Sequence, residues 1–106
     1  MKKYNLASNT WDDKEIDAIN KVIKSGNHTM GSSVNDFEND FAKYFNAKYA
    51  VMVNSGSSAN LLAIASLFFK QDNPLKKNDE VIVPAISWST TFSPLQQYGL
   101  RVKFVD

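Results

Sequence analysis

The sequence predicts an α/β fold: two helices followed by β-α-β-α-β, with the strands parallel and the helices as crossovers. Three observations carry this. Short strand-like runs at 49–53, 80–84 and 101–105 alternate with longer stretches whose apolar residues recur at helical spacing. The run Tyr49-Ala50-Val51-Met52-Val53 is continuously apolar, as in a strand covered on both faces of a parallel sheet. Polar or proline-bearing segments (54–58, 71–79 and 85–90) punctuate the series. Right-handed crossovers then bring 54–58 and 85–90 to the carboxyl edge of the sheet, where ligands of such folds bind.

The elements follow in order. Residues 1–9 read as an extended arm. Thr10 is the expected cap of a first helix over roughly 12–25, with Asp12 and Asp13 in its first turn. Ile16, Ile19, Val22 and Ile23 give it one apolar face, and Gly26 supplies the stop. Gly26-Asn27-His28-Thr29-Met30-Gly31 is a glycine-bracketed loop, better read from its residues alone as a connector than as a substrate-contacting loop. Ser33 opens the second helix, with Asp36 at the capping-box position. Val34, Phe37, Phe41, Tyr44 and Phe45 form an apolar stripe read as core packing. Asp36, Glu38, Asp40 and Lys43 read as a solvated face, and Asn46 as a left-handed terminator. After the first strand, Ala59–Phe69 is apolar nearly all round, the mark of a helix covered on most sides by further protein. Pro84 stops the second strand, and Ser89 or Thr90 caps a helix that ends at Gly99. The third strand closes the series.

The bulk composition narrows the functional classes. The 106 residues are 43% hydrophobic and 22% charged, with a net charge of +1 spread along the chain. No basic block points to nucleic acid, and no apolar run is long enough to span a bilayer. Polar residues follow Met1–Leu6, so the start does not read as a signal peptide. The absence of cysteine removes disulfides and thiolate metal sites and fits a reducing cytoplasm. With His28 the single histidine, an all-protein zinc site or a Ser–His–Asp triad is hard to build from these residues.

The chemistry centres on Asn54-Ser55-Gly56-Ser57-Ser58, between an apolar strand and a helix. A helix start offers unpaired amides and a positive dipole end, and small side chains let an anion approach. Gly56 and Ser57 suit a phosphate, yet the same residues serve equally as a tight turn with a serine cap and no ligand. The spacings of a P-loop, a dinucleotide-binding loop and a nucleophile elbow are all absent. Trp88, one strand away, is either an indole packed at the sheet edge or a flat surface for an aromatic ring. A phosphate cradle and a stacking aromatic together suit pyridoxal phosphate (PLP).

The run Lys48–Leu62 resembles the cofactor-phosphate segment of the DegT/DnrJ/StrS family of PLP-dependent enzymes, which act on nucleotide-linked keto sugars. Asp79–Ala85, and Thr90-Thr91 with Pro94, resemble the family's next block, and the likeness runs from Leu6 to Asp106. Leu6-Ala7-Ser8 with Thr10-Trp11, Thr29-Met30-Gly31 and Trp88-Ser89-Thr90-Thr91 are most similar to the branch that removes the C3 hydroxyl of a 4-keto-6-deoxy sugar. This resemblance implies the N-terminal part of the large domain of a fold-type I PLP-dependent transferase. Residues 1–31 would be arm, helix and loop, and 32–106 the start of an incomplete PLP-binding domain. Gly56 and Ser57 would hold the phosphate of PLP or pyridoxamine phosphate, Trp88 would stack on the ring, and Gly26, Asn27, His28 and Thr29 would approach the nucleotide sugar.

The lysine or histidine that divides aminotransferases from dehydratases in this family would lie beyond Asp106. No catalytic residue is therefore expected among these 106, and the stretch by itself should be inactive. The full-length protein is expected to be a cytoplasmic homodimer in the making of O-antigen deoxysugars. A sugar aminotransferase is the alternative, and a non-catalytic binding fragment the second.

Overall fold

A computed structural model describes residues 7–106, so most of the expected arm lies outside the described residues. The chain divides between Met52 and Val53 into two compact units.

The first unit holds α1 (Asp13–Ser25) and α2 (Ser32–Tyr44). The cap of α1 is Asp12 rather than Thr10, because Asp12 closes a reciprocal box with Glu15. Its Oδ1 accepts the Lys14 amide at 2.8 Å, and its own amide donates to Glu15 Oε2 at 2.7 Å. Gly26 ends the helix at φ 69°, as expected. α2 begins a residue before Ser33, behind Gly31, with no side-chain cap, so Asp36 makes no capping box. Its end is a complete Schellman turn. Asn46 sits at φ 52°, the Ala47 amide reaches the Ala42 carbonyl at 2.8 Å, and the Asn46 amide reaches Lys43 at 3.2 Å.

The aromatic stripe of α2 packs ring on ring, Phe37 to Phe41 at 5.5 Å and Phe41 to Phe45 at 4.7 Å. It does not form a core: all three rings are exposed, and only Ala42 of this helix is buried. Glu38 is not merely a solvated charge either. Its Oε1 accepts the Met52 amide at 2.7 Å and so fixes the segment that leads to residue 54.

That segment, 49–53, is not a strand. A strand exists by pairing, and no described residue offers this run a ladder; Tyr49, Val51 and Met52 are exposed instead. The continuous apolar pattern records a burial that these residues do not supply for one another.

The second unit runs α3 (Gly56–Phe68), β1 (Glu80–Pro84), α4 (Ser89–Gln97) and β2 (Arg101–Val105). β1 and β2 pair in parallel, Glu80 opposite Arg101 through Pro84 opposite Val105, with α4 as the crossover. The α/β class with parallel strands is thus borne out. Val83, Leu95 and Leu100 form the core, and Ile64, Phe68, Leu75, Val81, Phe92 and Val102 pack against it. α4 closes with a second Schellman turn. Gly99 takes φ 77°, Leu100 donates to Leu95 at 2.9 Å, and Gly99 donates to Gln96 at 3.0 Å. The two leucines so joined are both buried, which supplies the apolar contact such a turn favours.

Candidate functional site

α3 begins earlier than the sequence pattern suggests, at Gly56, which puts the serine turn inside the helix's first turn. Ser55 is the cap: its Oγ accepts the Ser58 amide at 3.2 Å. The amides of Gly56 and Ser57, at the first two positions, have no carbonyl of their own helix within reach. A Cβ added at Gly56 would meet nothing within 4 Å, and its φ is not in the left-handed region. Neither backbone strain nor crowding within this unit calls for glycine here. What glycine leaves is an open approach to two free amides at the positive end of a 13-residue helix.

The second edge element is the loop from β1 to α4. Ala85 extends the ladder by donating to the Val105 carbonyl at 2.8 Å, and Ser87 Oγ turns back to the Pro84 carbonyl at 3.2 Å. Trp88, not Ser89 or Thr90, then occupies the N-cap position of α4, with extended backbone and no side-chain cap. A tryptophan cannot accept a helix amide, so its place there leaves the indole outward, 84% exposed. An indole held at a sheet edge and so little covered is not packed in this unit.

Of the expected cofactor-binding residues, the structure places Ser57 in a cavity that neither Gly56 nor Trp88 lines. Ser57 shares an open cavity of ≈ 170 Å³ with Ser58, Leu61, Thr90, Ser93, Pro94 and Gln97, so the starts of α3 and α4 face a common space. Trp88 lies outside that lining. It borders a second open space with Ile86, Ser87 and Ser89.

Two residues given no site role from the sequence, Pro94 and Asn60, join these helix starts. Pro94 has no amide proton, so the Thr90 carbonyl, four residues earlier, loses its helical donor. Asn60 Nδ2, on α3, donates to that carbonyl at 3.1 Å. Pro94 within the helix was a readable signal of an orphaned acceptor; its donor, 30 residues away, was not.

In the first unit, Asn27, His28 and Thr29 line a cavity of ≈ 190 Å³ with Gly31 and the start of α2. Gly26 is not part of the lining. Asn27 lies so close over Gly31 that a Cβ there would collide with its side-chain amide. Among the described residues no cluster of His, Asp and Glu could hold a metal ion.

The chain is 61% identical, over all 106 residues, to GDP-4-keto-6-deoxy-D-mannose 3-dehydratase of Yersinia pseudotuberculosis and covers 27% of that protein. It superposes on the Escherichia coli enzyme of the same name with bound hydrated PLP at a TM-score of 0.90 and 64% identity. That match covers 98% of this chain and 27% of that one. A mutant GDP-4-keto-6-deoxymannose-3-dehydratase with bound GDP-perosamine matches at 0.89 and 64%, with the same coverage. The chain thus spans about a quarter of the length of these relatives. Residues 9–106 match the DegT/DnrJ/EryC1/StrS aminotransferase family, and the chain belongs to that family.

Proposed function

We propose that this chain, within its full-length protein, supplies the phosphate- and ring-binding part of a PLP-dependent enzyme that removes the C3 hydroxyl of a nucleotide-linked 4-keto-6-deoxy sugar. The observation that carries this reading is the 61% identity to such a dehydratase along the whole chain. The residues present fit the cofactor. Gly56 leaves open the space that a side chain would fill beside the first-turn amides of α3, and Trp88 offers an uncovered aromatic face. Gly56 and Ser57 would hold the phosphate through their amides and the Ser57 hydroxyl, and Trp88 would lie against the pyridine ring. When bound, the cofactor supplies an electron sink for the charge that develops as the hydroxyl leaves.

Gly26, Asn27, His28 and Thr29 would meet the nucleotide sugar. For three of them the support is a shared cavity beside the start of α2. His28 is given no catalytic part. Residues 32–106 are read as the opening of the large PLP-binding domain. No helix of the described residues is long and apolar enough to cross a membrane. A cytoplasmic homodimer working in deoxysugar assembly is part of the same reading.

The test is turnover by the full-length protein with PLP or pyridoxamine phosphate, an amino donor and a nucleotide-linked 4-keto-6-deoxy sugar, with products followed by mass spectrometry. Loss of the C3 oxygen supports the proposal. An amino sugar with that oxygen retained would favour the aminotransferase alternative, to which the family's description lends weight. Failure to bind PLP would sink both and leave a non-catalytic binding protein.

A further inference from the structure

We infer that Asn60 is a positioning residue: by holding the Thr90 carbonyl it sets the start of α4, with Trp88, against the start of α3, with Gly56 and Ser57. The inference rests on the proposed cofactor site and adds a residue that touches neither phosphate nor ring. Asn60 lies four residues after Gly56, one turn along α3 on the same face. Thr90 lies in the first turn of α4, two residues after Trp88.

The carbonyl that Asn60 takes is free for one reason, the missing N–H of Pro94. Sequence placed a helix-breaking residue inside α4 and put the replacement donor on the neighbouring helix. An intrahelical bond that would have served α4 alone has been exchanged for one that ties two helices together at their functional ends. The bond is single, 3.1 Å long, and made by an exposed side chain. Packing of the α3 and α4 bodies onto the core is not what calls for it. Ile64, Phe68, Phe92 and Leu95 provide that packing further along both helices. What the bond adds is a fixed distance at the end where a phosphate and an aromatic ring of one ligand would have to be met together.

The experiment uses the full-length protein and three variants: Asn60→Leu, of similar shape but without a donor, Pro94→Ala, and the two combined. The readouts are PLP affinity, the visible circular dichroism of the bound cofactor, and the urea midpoint of the cofactor-free protein. Pro94→Ala gives the Thr90 carbonyl a helical N–H and therefore separates two roles. Asn60→Leu is expected to weaken PLP binding about tenfold, the order of one lost hydrogen bond, to move the dichroic band and to lower the urea midpoint. The double variant is expected to recover the midpoint but neither the affinity nor the band, because the carbonyl is satisfied while the helices stay untied. Recovery of all three would overturn the inference and leave Asn60 as a partner for a stray carbonyl. So would wild-type affinity in Asn60→Leu. If the wild-type protein binds no PLP, the proposed site falls first and the inference with it.

Discussion

Gly99 and Gly56 differ in what their surroundings require of a glycine. Gly99 is required by the backbone, at φ 77° in the left-handed region. Gly56 has a φ outside the left-handed region and nothing within 4 Å of an added Cβ, so the proposed phosphate site is what would call for glycine there. Gly56→Ala should therefore leave the urea midpoint of the cofactor-free full-length protein unchanged or slightly higher. It should weaken PLP binding by about tenfold or more, the order expected when one ligand hydrogen bond is lost; equal affinity in a titration would remove the phosphate from this helix start. Gly31 is a mixed case, since a methyl group there must push the Asn27 side chain aside. Gly31→Ala is expected to raise KM for the nucleotide sugar with little change in kcat, which steady-state kinetics would show. The serine turn was legible in sequence because small residues before an apolar helix have a local meaning. The Asn60 bond was not, because it depends on two helices meeting.

At the scale of elements, what was readable was whatever a segment decides for itself. β1 and β2 run over the residues expected, and Gly26, Asn46 and Gly99 end helices in the left-handed region as their identities require. The α1 cap fell to a nearby competitor that bonds better, Asp12 with Glu15, whereas the cap positions of α2 and α4 fall on Gly31 and Trp88, which make no side-chain cap. The expected strand at 49–53 failed for a different reason: its pattern describes neighbours, and none of the described residues is one. The turn that ends α4 can be tested directly. Gly99→Ala forces a Cβ into the left-handed region and should cost about 1 kcal/mol of stability, measured by urea unfolding. Leu95→Ala removes a side chain only 3% exposed from the centre of the core and should cost about 2–5 kcal/mol.

Over the molecule as a whole, apolar side chains outnumber the places where they are covered. Among the described residues the buried hydrophobic ones are Ala42, Val83, Leu95 and Leu100, while Phe41, Phe45, Leu62, Phe69 and Trp88 are exposed. α3 is apolar nearly all round and has no buried residue. The sequence pattern predicts just this cover from further protein, and a chain spanning 27% of its relatives' length is consistent with it. A cooperative fold needs more burial than that to offset backbone entropy. Residues 1–106 expressed alone should bind the dye ANS strongly, melt without a sharp transition and turn over no keto sugar. A single steep thermal transition by circular dichroism would contradict this.

The paired strands are secured unequally along their length. At the amino end, Arg101 donates its amide to Asp79 at 2.9 Å and its Nε to Asn78 at 3.0 Å, while the Asn78 amide holds Gly99 at 2.8 Å. At the carboxyl end, one bond from Ala85 to Val105 is the last before the chain opens toward Trp88. Slow and fast clocks should therefore run at opposite ends of one short sheet. In hydrogen exchange on the full-length, cofactor-free protein, the amides of Asn78 and Arg101 should outlast those of Ser87 and Trp88. Adding PLP should slow the second pair and leave the first where it was. The end proposed to meet a ligand is the end that fewer backbone bonds hold.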